Sequence, residues 1–249
     1  MPAWTDMGSN WCRKFFTIFV FRKAANQQKP MRLKLILSAI LSIVSLSTFA
    51  QSGFPFDDEI RAFKHQDSLS FPKPNGILFI GSSSIRKWID LEQRFAGKPI
   101  IKRGVGGCEL SQLVKYYTPY ILFPYHPRKI FIYAGENDIA DGKTADSVYA
   151  NFKTLWAMIK KKLPKAKIYY LSAKDAPVRA KFRPEVDKAN RMVKKYLAGK
   201  RNSLYIDINS SIFKPGTTMP DSSLFESDYL HLNSKGYDRW QMVLTRYVN

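Results

Sequence analysis

The sequence is poor in the residues that build metal and redox centres. Among 249 residues there are two cysteines and three histidines. No His-Glu-x-x-His, no paired Cys-x-x-Cys and no phosphate-binding loop occurs, so metal and nucleotide mechanisms have no motif to rest on and no cofactor is expected. Cys12 falls in an N-terminal stretch set aside below. Cys108 then stands alone, which excludes an internal disulfide. It follows a Gly106-Gly107 turn with only Lys102 and Arg103 as basic neighbours, and it reads as a small buried thiol, not a nucleophile. Acidic residues are also scarce, with 20 Asp+Glu against 40 Lys+Arg and a formal net charge of +20. Nucleic acid, anionic headgroups or acidic glycans would all suit such an excess. The positive residues are nevertheless spread along the chain. The densest group, Lys160-Lys161-Lys162 with Lys165 and Lys167, ends a helical pattern, where cations complement the helix dipole and are solvated. The charge reads as that of a high-pI exported protein; nucleic-acid binding is a further reading, favoured by charge alone and disfavoured by the export signal described below.

No apolar run reaches the roughly 20 residues that a membrane-spanning helix needs. The longest candidate, Leu35 to Leu46, follows the basic segment Met31-Arg32-Leu33-Lys34 and precedes Ser47-Thr48-Phe49-Ala50, with small residues one and three positions before Gln51. This is the three-part layout of a secretory signal peptide at 31–50, and it predicts an exported, periplasmic or secreted protein with no stable membrane insertion after cleavage; an uncleaved N-terminal anchor is the alternative. Residues 1–30 read as an upstream extension outside the fold, with translation expected to start at Met31. The remaining 51–249 suit one domain and carry 33 Lys+Arg and 19 Asp+Glu.

Within that domain no repeat or low-complexity linker interrupts an alternation of strand-like and helix-like segments. Short apolar runs at Gly76–Ile80, Pro99–Ile101, Lys129–Ala134, Ala166–Leu171 and Ser203–Asp207 suit strands buried on both faces of a parallel sheet. Between them, Leu110, Leu113, Val114 and Tyr117 recur at helical spacing, as do Val148, Phe152, Leu155 and Ile159, then Val186, Ala189, Asn190, Val193 and Leu197, and finally Trp240, Val243, Leu244 and Tyr247. A helix is also expected over Arg86–Phe95. Asp146, and Asn233 or Ser234, are plausible helix starts, while Pro164 and Gly199 follow helix ends. The pattern predicts a three-layer α/β/α sandwich around a central, mostly parallel five-stranded sheet with right-handed crossovers. Ligands in such sheets sit outside the carboxyl ends of the strands.

The polar residues found there carry the chemistry. Ser83, in Ile80-Gly81-Ser82-Ser83-Ser84, sits where a strand turns into a helix, so its hydroxyl can be exposed while its backbone N–H faces a bound carbonyl oxygen. Gly107 lies in a glycine-rich turn whose backbone can approach a substrate closely, with Gly106 as its rival. Asn137, after Gly135-Glu136, offers a side-chain amide donor. Asp228 and His231 are three residues apart, so a turn lets the carboxylate accept the Nδ1–H and stabilise the imidazolium. Asp138 is read as a turn or cap residue. His65 and His126 have no such partner. Together these groups make a nucleophile, a base, its orienter and three oxyanion donors.

In this order the four blocks resemble those of the SGNH/GDSL hydrolase family of esterases and lipases, over most of 75–249. The resemblance implies the family's flavodoxin-like fold, with Ser83 as nucleophile and oxyanion donor, Gly107 and Asn137 completing the hole, His231 as base and Asp228 as its support. The first block usually reads Gly-Asp-Ser; here Ser82 replaces the acid, and Ser82 and Ser84 remain alternative registers for the nucleophile. Trp88 then falls where the family often has an aromatic. The α/β-hydrolase elbow Gly-x-Ser-x-Gly fits worse, since position 85 is isoleucine. The expected activity is hydrolysis of short acyl esters, acetyl on a small-molecule or glycan substrate, with Trp88, Tyr116, Tyr117 and Tyr125 as candidate sugar contacts, although aromatics near a sheet edge are more often packing. A lipid or lysophospholipid esterase is one alternative. A non-catalytic carbohydrate-binding module on the same fold is another, admitted by the substitution at Ser82.

Overall fold

In the computed structural model, which describes residues 54–249, the five apolar runs form five strands. The segments read from the sequence as a signal peptide and an upstream extension lie outside the described residues. The strands are β1 (Ile77–Gly81), β2 (Ile100–Gly104), β3 (Lys129–Tyr133), β4 (Lys167–Leu171) and β5 (Ser203–Ile206). They pair in the order β2-β1-β3-β4-β5, and every pair is parallel. That is the flavodoxin-like order, whose switch point lies between β1 and β3.

Alternation along each strand divides the core in two. One sheet face presents Leu78, Ile80, Ile130, Ile132, Ile168 and Tyr170. The other presents Ile77, Phe79, Phe131, Tyr133, Tyr169 and Leu171. On the second face Phe79, Phe131 and Tyr169 occupy one register across three strands, and their rings stack with centroids 4.5 and 4.6 Å apart.

Helix α1 (Asp57–Leu69) precedes the sheet, and α2 (Ser83–Arg86) and α3 (Leu91–Arg94) link β1 to β2. The next crossover is α4 (Leu110–Gln112), a π-turn over Leu113–Tyr117 and α5 (Thr118–Ile121). Pro119 has no N–H to continue an α-helical ladder, and the helix widens just before it. Helices α6 (Glu136–Ala140) and α7 (Ala145–Lys162) follow β3, α8 (Arg183–Leu197) follows β4, and α9 (Ser234–Val248) closes the chain. Helices α1, α4, α7 and α8 bury their apolar stripes on the aliphatic face, while α2, α3 and α9 cover the aromatic one.

Three local expectations are corrected. The single helix over Arg86–Phe95 is instead two short ones, because the chain leaves the helix after Arg86 to seat Trp88 against Phe79, Phe95, Tyr237 and Trp240. Burying a ring of that size is worth on the order of 4–6 kcal/mol as an upper bound, far more than one helical hydrogen bond. Trp88, on the aromatic face, and Tyr117 and Tyr125, on the aliphatic one, are all fully buried, so they pack the core and line no sugar site; Tyr116 is partly buried beside Tyr117. Helix α7 is capped by Thr144, whose Oγ1 accepts the Ser147 N–H, and Asp146 sits inside its first turn. Asn233 does cap α9, accepting the Gly236 N–H. Helix α1 has no counterpart in the strand-and-stripe reading. It is pinned to β2 by the Arg103–Asp67 ion pair, to which Tyr125 also donates.

Candidate active site

Strand β1 ends on Gly81, where a side chain would be impossible. Its φ is +136°, and a Cβ would lie 1.9 Å from the Tyr133 carbonyl oxygen of β3. The tight pass delivers Ser82 to the end of the strand and Ser83 to the first turn of α2. Three consecutive serines then diverge. Ser83 Oγ lies 2.9 Å from His231 Nε2. Ser84 Oγ faces inward and accepts from Lys174 Nζ at 3.2 Å. Ser82 Oγ is buried and has no partner among the described residues.

The Asp228–His231 segment is a side-chain-closed turn. Asp228 Oδ1 accepts the N–H groups of Leu230 and His231, both at 2.9 Å, which forces Tyr229 to φ +52°. The other oxygen, Oδ2, lies 2.6 Å from His231 Nδ1. A carboxylate at that distance selects the Nδ1–H tautomer, so Nε2 is left to accept the Ser83 hydroxyl proton. Partial burial works against the Asp228 charge, yet the His231 ring and the two backbone donors outweigh it and hold the carboxyl well below the usual range. Lys87, one turn after Ser83, brings Nζ to 3.2 Å from Nδ1 and 3.8 Å from Asp228 Oδ2. Two donors do not bond each other, so Lys87 acts on the carboxylate.

The proposed donor side of the site lies across the β1–β3 switch. Gly106 and Gly107 are now distinguished. The Gly106 N–H donates to the Glu59 carboxylate at 3.0 and 3.2 Å, and Arg86 pairs with the same carboxylate. Gly107, at φ +66°, has an N–H with no acceptor among the described residues and open space where a Cβ would stand. Asn137, in the first turn of α6, donates from Nδ2 to the Cys108 carbonyl at 3.1 Å and accepts at Oδ1 from Arg179 Nη1 at 2.9 Å. Cys108 itself is fully buried, and burial pushes its thiol up, out of nucleophilic range. Asp138 is a structural acceptor for the Leu110 N–H, and burial raises its carboxyl to about 6.

Sequence reading passed over a second layer. Glu136 is buried between Lys174 Nζ, at 2.7 and 2.9 Å, the Tyr133 hydroxyl at 2.6 Å, and Arg179 Nη1 at 3.3 Å. Lys174 is completely buried, and burial lowers its pKa against the opposing pull of Glu136. No local spacing signals a cluster drawn from two distant stretches, the ends of β3 and β4. At the rim, Tyr229 and Val178 are both more than half exposed and share a backbone hydrogen bond of 3.3 Å. Tyr229, at φ +52°, has no role in the sequence reading.

A serine hydroxyl, an imidazole that can take its proton and a carboxylate behind the ring are the groups that acyl transfer through a covalent intermediate uses. The model of the GDSL-like lipase/acylhydrolase family matches residues 80–239, the stretch from the end of β1 into α9. Among curated proteins none matches. Solved structures with the same fold include a candidate platelet activating factor from Streptococcus (19% identity, 89% of this chain and 100% of the other, TM-score 0.69). A GDSL-like lipase from Bacteroides thetaiotaomicron is 16% identical over 76% of this chain and 96% of its own, with a TM-score of 0.63. An acetyl-xylooligosaccharide esterase from Geobacillus is 17% identical over 71% and 95%, with a TM-score of 0.54.

Proposed function

The chain belongs to the GDSL-like lipase/acylhydrolase family and is a hydrolase of ester bonds; from that premise we propose that it is an exported serine esterase that removes short acyl groups, acetyl foremost, from glycans. The observation that carries the catalytic assignment is the chain of contacts from Ser83 Oγ through His231 to Asp228, at 2.9 and 2.6 Å. In this mechanism His231 Nε2 takes the Ser83 proton as Oγ attacks the ester carbonyl. The N–H groups of Ser83 and Gly107 and the Asn137 amide receive the oxyanion. His231 then returns the proton to the leaving alkoxide, and a water activated by the same ring releases the acyl group.

Substrate size follows from the rim. Asp228 is 42% exposed at its side chain, so the leaving-group side is open to solvent and suits a bulky alcohol. The half-exposed Tyr229 ring beside it supplies the flat aromatic face on which a sugar can lie. The Geobacillus esterase supports the same substrate class. Export rests on the basic, apolar and small-residue layout of 31–50.

A chain-length series of nitrophenyl esters, run beside acetylated xylo-oligosaccharides, tests this reading. The acetyl ester should be hydrolysed fastest and Ser83→Ala should be inactive on both kinds of substrate. Tyr229→Ala should raise KM for the oligosaccharide and leave nitrophenyl acetate unaffected. A preference for long acyl chains over acetyl would replace the glycan with a lipid ester.

A further inference from the structure

The amide of Asn137 has two nearly isosteric orientations, and only one of them serves an oxyanion. With Nδ2 toward the substrate it donates; flipped, it would set a carbonyl oxygen against the developing negative charge. Two contacts decide between them. Arg179 can only donate, and its Nη1 meets Oδ1 at 2.9 Å. The Cys108 carbonyl can only accept, and it meets Nδ2 at 3.1 Å. A flip would oppose donor to donor and acceptor to acceptor. One amide hydrogen is used by Cys108; the second remains for the substrate.

Arg179 is itself aimed and held. It lies at a kink, φ −107° and ψ 17°, inside the 3₁₀ turn Pro177–Phe182. Its Nη1 also lies 3.3 Å from Glu136 Oε1. Glu136 precedes Asn137 in the chain and is fixed from below by Lys174 and the Tyr133 hydroxyl. A buried pair such as Glu136–Lys174 is often no better for stability than apolar residues of the same volume. Stability alone therefore gives weak reason for its presence, whereas a rigid anchor directly behind the guanidinium explains it. The guanidinium charge on Oδ1 also polarises the amide and strengthens its remaining N–H as a donor.

We propose that Arg179, anchored by the buried Glu136–Lys174 pair, is a positioning residue that fixes and polarises the Asn137 amide for oxyanion stabilisation. It acts through Asn137 and touches no reacting atom. The inference rests on the proposed oxyanion role of Asn137.

A double-mutant cycle on nitrophenyl acetate tests it. Asn137→Ala should lower kcat by about 10²–10³-fold. Arg179→Met should lower kcat about tenfold or more at unchanged KM, the loss of part of one donor's contribution. The double variant should be no slower than Asn137→Ala, because Arg179 has nothing left to orient. Glu136 keeps Lys174 as its partner in Arg179→Met, and circular dichroism checks the fold; should that variant fail to fold, Arg179→Lys, which keeps the charge beside Glu136 without the planar fork, takes its place in the cycle. Independent, multiplicative losses overturn the positioning role and leave the oxyanion reading intact, as does a rise in KM at constant kcat. Wild-type kcat in Asn137→Ala overturns the oxyanion reading itself.

Discussion

The two ends of the sheet handle charge in opposite ways. At the carboxyl end each carboxylate of the site has a specific partner: Glu59 with Arg86, Glu109 with Lys143, Glu136 with Lys174 and Arg179, Asp228 with His231 and Lys87. At the amino end Lys98, Arg128, Lys165, Lys167, Lys200 and Arg201 form no ion pair among the described residues. Cations there turn to other partners. Lys160 donates to the Ala166 and Asn202 carbonyls, Lys129 to those of Tyr247 and Val248 at the end of α9, and Lys200 lies 5.2 Å from the Trp156 ring centroid. The Tyr247 and Val248 carbonyls, at the end of α9, carry the partial negative charge of a helix C-terminus and attract the Lys129 cation. The same residue types thus do different jobs: geometry at one end, helix termination and solvation at the other. A net charge of +20 says little about a ligand until it is divided in this way.

The largest effect that separates the ends should come from Lys174→Met. Removing one partner of a buried ion pair strands Glu136 and should cost about 3–5 kcal/mol of unfolding free energy. Urea denaturation measures it, and adding Glu136→Gln should restore much of the loss. A cost below about 1 kcal/mol would mean that the network is far wetter than its burial implies.

An intermediate effect concerns pH. Burial raises the Asp138 carboxyl to about 6 and, with Asp187 nearby, the Asp175 carboxyl to about 6, both above the ordinary aspartate value of about 3.9. Between those values the folded state binds more protons than the unfolded chain. Stability should therefore be highest below about pH 4 as far as these two groups are concerned, and fall as pH rises toward 6, by at most about 1.4 kcal/mol per pH unit for each. Asp228, held low, acts in the opposite sense and only in stronger acid. Thermal melts from pH 4 to 7 on wild type and Asp138→Asn should show a shallower decline in the variant; equal slopes would remove Asp138 from the account.

The smallest effect belongs to the amino end. Neutralising Lys98, Lys165 and Lys167 to Gln should shift stability by no more than about 0.5 kcal/mol per site, with kcat on nitrophenyl acetate unchanged. A larger loss would show that this end is as finely tuned as the other.

Which parts could be read in advance follows the same division. Strands buried on both faces announce themselves as apolar runs, and polar residues at their carboxyl ends point to one rim, so the sheet and the four motif blocks were legible. The Gly-x-Ser spacing pointed to Ser83, but not to why its neighbours turn elsewhere, which depends on the Gly81 approach to Tyr133 and on Lys174 drawing the Ser84 hydroxyl inward. Gly106 and Gly107 separate only once Glu59, from a helix that the pattern did not reveal, takes the Gly106 N–H. Arg179 and Lys174 were invisible for the same reason: their partners lie some forty residues away in sequence, and long-range pairing leaves no local periodicity. Of the aromatics weighed as sugar contacts, Trp88, Tyr117 and Tyr125 are drawn into the core and Tyr116 is partly buried against it, whereas Tyr229 at the rim stays half exposed.

The claim on which the rest depends is that the hydroxyl of Ser83, and not that of a neighbour, is the nucleophile. Reaction with a fluorophosphonate followed by peptide mass spectrometry tests it directly. The account predicts one adduct per chain on Ser83, absent in Ser83→Ala and strongly slowed in His231→Ala. An adduct on Ser82 or Ser84, or undiminished ester hydrolysis by Ser83→Ala, would contradict it.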